Sequence, residues 1–534
     1  IIKNTNGIII IMLNLKMYRL FFGSFSILAL LNCADGLAQE KVPYDIVISG
    51  GRVIDPESGL DGIRNIGIID GRIVVVTNEK LKGKKALDAK GLIVAPGFID
   101  LHSHGQTILA DRMQAFDGVT TALELESGIL PISPWYADQK KIGRVLNYGT
   151  SAAWTYSRIA VMENLVPEPD LIWFQKAFSY SKWVNDAATP DQVTKIVGNL
   201  EQGLSEGALG IGINAGYAPG GGYKELMAVN ALAAKYKVPT FIHVSGDYAN
   251  DPNSAAESVG DVISIAVTTG SQAHICHLNS SSLKDIETTS AMILAAQKRG
   301  LAITTEAYTY GASSTTIGSA LFSEEARQRK SIQSSSIELN GHALDDASFA
   351  KTRAETPGSV IVFHFLDLPK EQDILDRSVL LSGAAIATDG MPWTDKRTGL
   401  LADPNMWPAS SEVFAHPRGA GTYTRLLAQW VRERKVLPLP EAIRKSSLIP
   451  AQILEKSVPQ MRNKGRIQVG MDADIIVFDL NKVQDKATFT QPYLPSVGMK
   501  YVLVNGIPVI SAGALVVDAR PGKPIRRSSV ISAQ

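Results

Sequence analysis

Two histidines, His102 and His104, flank Ser103 immediately after the apolar run Ile93–Leu101. In an extended segment, residues two apart point the same way, so both imidazoles can face a single metal ion. Three more candidates stand at the ends of similar runs. His243 closes Thr240–His243, His277 follows Gln272–Cys276, and Asp389 follows Ala384–Thr388. The chain has only 8 histidines, and four of them share this placement with a carboxylate. Imidazole and carboxylate are the donors of a hydrolytic metal site, where the ion lowers the pKa of water toward 7 and polarises a carbonyl. His274, His342 and His364 have no partner at metal-ligand spacing and are assigned no role. Cys276 adjoins His277 but has the opposite strand parity, which predicts core packing. Gly220-Gly221-Gly222 lacks the Lys-Ser/Thr that follows in a phosphate loop, and reads as a flexible lid after the fourth strand.

These residues need a scaffold that gathers strand ends at one face. Eight buried runs are candidates for it: Ile93–Leu101, Val119–Glu126, Thr150–Thr155, Ala208–Ile213, Thr240–His243, Gln272–Cys276, Leu301–Thr305 and Ala384–Thr388. Amphipathic stretches such as Lys224–Tyr236 and Ser290–Lys298 lie between them, as βα units require. The pattern predicts an α/β fold, a (β/α)8 TIM-like barrel over 91–455 whose site lies at the C-terminal ends of its strands. Ser359–His364 also reads as a strand and is set aside as an insertion before the last one. Residues 39–90 carry short alternating runs broken by Gly50-Gly51 and Asp70-Gly71, which are hairpin signals. The same texture returns in 456–534, at Ala473–Phe478, Tyr501–Val504 and Pro508–Ile510. Neither end has enough strands to bury a face alone, so the two predict one small composite β-sandwich domain.

The 534 residues fit one large barrel with a satellite, at 45% hydrophobic and 20% charged, which excludes a disordered or polytopic chain. Lys+Arg 53 against Asp+Glu 52 leaves a formal net charge of +1. With no basic block, nothing points to nucleic acid or a membrane surface, and a small-molecule substrate is the expectation. The stretch 1–38 reads as upstream residues plus a secretory signal. Arg19 precedes an apolar run from Leu20 to Leu31, and Gly36-Leu37-Ala38 forms a small-residue cleavage site. Cleavage after Ala38 would export the chain to the periplasm or medium and leave Cys276 as the single cysteine, with no intrachain disulfide.

The segments YDIVISGGRVIDPESG, GLIVAPGFIDLHSHG, DGVTTALELESG, GYAPGGGYKE, HICHLNSSS, TEAYTYGASST, ATDGMPW, HPRGAGTY and GRIQVGMDADIIVFDL cover nearly the whole chain after residue 38. Their pattern resembles the amidohydrolase superfamily and, within it, the D-aminoacylase (N-acyl-D-amino-acid deacylase) family. The resemblance implies one or two zinc ions, with His102 and His104 holding one and His243 and His277 the other. Asp389 would bind metal and carry the proton from the attacking water to the leaving amine. Arg418 matches the position that pairs with the substrate carboxylate, and Tyr217 and Tyr310 match residues touching the same end. Two positions depart from the family. Its bridging cysteine after the second strand aligns with Ser127, so the bridge is expected at Glu126, with Glu124 the alternative. Its lysine two residues after the sixth-strand histidine is Asn279 here. The run Gly207–Asn214 contains no lysine, which argues against the hydantoinase-like branch with its carboxylated lysine. A cyclic amidase or dipeptidase remains the alternative enzyme. A non-catalytic barrel relative is the other class, and it would be expected to have lost these ligands.

Overall fold

The computed structural model describes residues 43–246 and 250–528. The predicted export signal therefore lies outside the described residues. Among them no helix is long and apolar enough to cross a membrane.

Eight strands pair in parallel, in chain order: Phe98–Asp100, Val119–Ile129, Asn147–Ala153, Ile211–Asn214, Pro239–His243, Gln272–Ile275, Ile303–Ala307 and Ala385–Ile386. A parallel bridge between Ser103 and Gly390 joins the last strand to the first. The backbone N–H of His104 donates to Gly390 O at 2.8 Å there. Helices such as Pro190–Ser205, Tyr223–Tyr236, Ala255–Thr269 and Ile286–Lys298 cover the outside. Fully covered strands read as continuous apolar runs, and all eight were legible for that reason. Asp100 fastens the closure below the site. Its carboxylate accepts from the backbone N–H groups of His102 and Thr388 and from Gln114 Nε2. Burial pushes this carboxyl up to about 6.

The first predicted run, Ile93–Leu101, is two elements. Ile93–Pro96 pairs with Arg52–Val53 and antiparallel with Ile475–Phe478, whereas Phe98–Asp100 enters the barrel. The break is steric. A Cβ on Gly97 would lie 2.2 Å from Thr120, so only glycine lets the chain cross from one sheet to the other.

Both chain ends build one nine-stranded sheet, as their shared texture predicts. Its order runs Ala514–Leu515, Ile507–Ser511, Met499–Val504, Ile475–Phe478, Ile93–Pro96, Tyr44–Asp55, Leu60–Ile69, Arg72–Thr77, with Gly83–Asp88 also pairing with Tyr44–Asp55. Ile475 and Val477 pack into this sheet's own core with Ile48, Ile66 and Val94. Ile476 and Phe478, one step out of phase, pack toward the barrel with Phe98, Val119 and Tyr423. The segment after 456 is not confined to the sheet, since Met461 and Ile525 join Leu123, Leu209 and Phe241 in the core of the barrel.

Ser359–His364 belongs to an inserted unit. Val360–His364 pairs with Ala312–Thr316 and Ile337–Leu339 in a separate four-stranded sheet. Ile317, Phe322, Ile332, Ile337, Phe349 and Ile361 give this insertion a core of its own.

Candidate active site

The C-terminal ends of the strands bring the predicted donors together. His102 and His104 follow the first strand, with their Nε2 atoms 3.1 Å apart. Glu126, near the end of the second strand, reaches between the two histidine pairs. Its Oε2 lies 3.5 Å from His102 Nε2 and 3.6 Å from His104 Nε2. Its Oε1 lies 3.0 Å from His243 Nδ1 and 3.3 Å from His277 Nε2. Asp389 Oδ1 is 3.4 Å from His102 Nε2 and 3.3 Å from His104 Nε2. His277 and Asp389 both have positive φ, at 33° and 51°, a region side chains rarely adopt and one that functional sites tolerate.

The charges around these imidazoles call for a cation. Burial opposes ionisation of Glu126, but His102, His243 and His277 outweigh it and hold the carboxyl well below its ordinary range. Burial likewise opposes charge on His104, yet Glu124 and Asp389 push it up to about 10. His102 rises well above its ordinary value under Asp389, Glu306 and Glu126, which overcome burial. Four carboxylates thus favour positive charge among the rings, a demand that protons or a metal ion can meet. His102, His104 and Asp389 offer donor atoms within 4.8 Å of one another, as do His102, Glu126 and His277. The donor set is nitrogen and oxygen, with the two pairs sharing one carboxylate, and it fits one or two divalent ions of the zinc class.

Glu124, the alternative bridge, sits elsewhere. It lies against the other edge of His104, with Oε2 2.9 Å from Nδ1, and it accepts from the Gly128 N–H. Cys276 packs in the barrel core as its parity predicts. Its sulfur nonetheless comes within 4.8 Å of donor atoms of His102 and Glu306. His274, assigned no role from sequence, is buried with Nε2 3.1 Å from Glu306 Oε2.

Tyr217 lines the cavity above the histidines, its hydroxyl against Thr315 Oγ1. Arg418 is placed behind Asp389 instead of on the cavity wall. It is fully buried, with Nη2 2.8 Å from Asp389 Oδ2 and its guanidinium 4.6 Å from the centre of the Tyr308 ring. Its Nε and Nη1 are buried and lack hydrogen-bond partners among the described residues. Burial works against charge on Asp389, but Arg418 and His102 prevail and lower its pKa. Tyr310 faces away from this cavity, stacked against Arg425 and lining a neighbouring one. Asn279 turns its amide N–H toward the carbonyls of Tyr308 and Tyr310. Gly220 and Gly221 are not a free lid. Their α-carbons lie against Asn185 and the Trp154 ring so closely that a Cβ would approach to 2.5 and 2.7 Å.

The cavity also takes Phe174, Leu321, Phe322, Ile332, Phe363 and Met391 into its wall. Four of these come from the inserted unit. Hydrolytic donors on one side and an apolar wall on the other suit a small molecule with a polar scissile bond and an apolar arm.

Residues 268–510 match the model of the amidohydrolase family. The match covers a little under half of the chain. The chain is 26% identical to an N-acyl-D-glutamate deacylase of Alcaligenes xylosoxydans xylosoxydans, over 92% of its own length and 98% of the relative's. A D-aminoacylase of the same organism is 24% identical over 88% of this chain and 95% of that one. The chain also superposes on the N-acyl-D-glutamate deacylase of Bordetella bronchiseptica, solved with zinc and a phosphonate mimic of the tetrahedral intermediate. The TM-score is 0.71 at 22% identity, over 91% of this chain and all of that one (100%). D-hydantoinase from Thermus sp. is more distant, with a TM-score of 0.54 at 18% identity. These structural likenesses establish the fold, a TIM barrel with a separate sheet domain.

Proposed function

We propose that this chain is an amidohydrolase that deacylates N-acyl-D-amino acids. The observation that carries the reading is Glu126, whose two oxygens face the two histidine pairs on the floor of a cavity that Asp389 also lines. Relatives named for this activity align over most of the chain. His102, His104, Asp389 and Glu126 Oε2 would hold one ion, and His243, His277 and Glu126 Oε1 the other. Zinc at these positions supplies Lewis acidity toward the amide carbonyl and makes water easier to deprotonate. Asp389 holds the proton taken from the attacking water and returns it to the departing nitrogen, because its Oδ1 is directed at the floor of the site. Arg418 keeps that carboxylate ionised and fixed through Oδ2. Buried behind Asp389, Arg418 acts on the substrate through that carboxylate. Tyr217 closes the same side, and the apolar wall receives the acyl chain or an apolar side chain. The N-terminal signal pattern supports an exported enzyme.

The test is amine release from paired D- and L-N-acyl amino acids carrying apolar or acidic side chains, with hydantoins as controls and metal content measured on the same samples. The expected result is a D-selective reaction that tracks zinc content. Hydrolysis of hydantoins alone, or full activity without metal, would overturn the reading.

A further inference from the structure

Two carboxylates stand behind the first histidine pair, and the mechanism above uses neither. Glu306, in the strand Ile303–Ala307, places Oε1 2.6 Å from His102 Nδ1. Its other oxygen lies 3.1 Å from Nε2 of the buried His274, whose Nδ1 is 2.9 Å from Thr304 Oγ1. Glu124 plays the matching part for His104, with Oε1 and Oε2 at 3.1 and 2.9 Å from Nδ1. Each imidazole is therefore gripped at Nδ1 and presents Nε2 to the centre, where the two Nε2 atoms meet at 3.1 Å. His102, Glu124, His274 and Glu306 are buried, and His104 and Thr304 are partly so, so a charge at Glu306 or Glu124 is costly unless it does work.

We propose that Glu306, backed by His274, and Glu124 are positioning residues that fix the tautomer and ring orientation of His102 and His104 for metal binding. A carboxylate on the outer nitrogen keeps the proton there, frees the inner nitrogen as a donor and raises its basicity. The roles divide among three acidic residues: Glu126 lies between the pairs, Glu124 turns one ring and Glu306 the other. His274 makes Glu306 the middle of a chain that anchors His102 to the sixth and seventh strands. Glu124 is backed instead by the Gly128 backbone N–H, whereas loss of Glu306 should be felt at the far end of its chain, at His274, as well.

This inference rests on the metal reading of the site, and the experiment separates the two. Zinc affinity is measured by chelator competition for wild type, Glu306→Gln, Glu124→Gln and Glu306→Asp, alongside thermal unfolding of the metal-free proteins. Glu306→Gln and Glu124→Gln should each weaken zinc binding by about 10–100-fold, the usual effect of removing an outer partner. Metal-free unfolding should change little, and Glu306→Asp should recover part of the affinity. Should Glu306→Gln fail to fold, His274→Gln carries the same test with a smaller loss expected. Unchanged zinc affinity in folded variants would overturn the positioning role while leaving the metal site intact. A wild type that binds no zinc would overturn the metal reading and this inference with it.

Discussion

At the scale of single residues, the site turns on which of two glutamates lies between the histidine pairs. Glu126 does, with one oxygen toward each pair. Glu126→Gln keeps the shape and removes the charge, so metal content by elemental analysis should fall by at least one equivalent while the fold persists. Retention of full content and rate would place the bridge elsewhere. Asp389 and Arg418 separate chemistry from support. Asp389→Asn should lower kcat by roughly 10²–10⁴-fold, as loss of an acid–base group does, and further if the metal is also weakened. Arg418→Ala should reduce kcat as well as raise KM, because the guanidinium grips Asp389 Oδ2. Steady-state kinetics with an acid and its amidated analogue will show how much of the loss belongs to substrate binding. Equal loss on both assigns Arg418 to Asp389 alone. Four histidines and Asp389 were legible because each ends a recognisable apolar run. Glu306 was not, because the predicted seventh strand stopped at Thr305, whereas the strand continues to Ala307.

At the scale of elements, the barrel strands could be read from continuous apolar runs, whereas their ends were set by neighbours. Pairing with Ala385 and Ile386 carries the seventh strand past Thr305 to Glu306 and Ala307. Of the inserted four-stranded sheet only Ser359–His364 was legible, because its partner Ala312–Thr316 is rich in Ser and Thr and carries no apolar period. A buried lysine gives an element-level prediction away from the active site. Lys445, in the helical segment Arg444–Leu448, is buried and donates to Leu381 O at 2.6 Å. Burial, resisted by Glu441, brings its pKa down to about 8. An unfolded lysine titrates near ~10.4, so between these values the unfolded chain binds the extra proton and stability rises with pH. Below pH 8 both states are protonated, and the folded state bears the burial penalty in full. Thermal unfolding should therefore show the wild type gaining on Lys445→Met as pH rises from 8 to 10. A constant difference across that range would show that Lys445 is not held uncomfortably.

At the scale of the whole molecule, the two chain ends depend on one another. Ile475–Phe478 sits between Ile93–Pro96 and Met499–Val504, and its two faces feed two different cores. Ending the chain at Gly470 would leave Ile93–Pro96 without that neighbour and expose the apolar face beneath it. Such a chain should be insoluble or lack a cooperative thermal transition. Soluble, cooperative unfolding would mean that the barrel stands without the C-terminal strands. The sequence by itself determined the barrel, the composite sheet and the histidine-and-aspartate constellation, because each is written in local periodicity and in spacing along a strand. It also narrowed the central carboxylate to Glu126 or Glu124. Only the tertiary structure decided between them, turned Arg418 toward Asp389, and joined His274 and Glu306 to His102. Those contacts link residues from strands far apart in the chain, and their geometry depends on where the barrel closes, which no local pattern encodes.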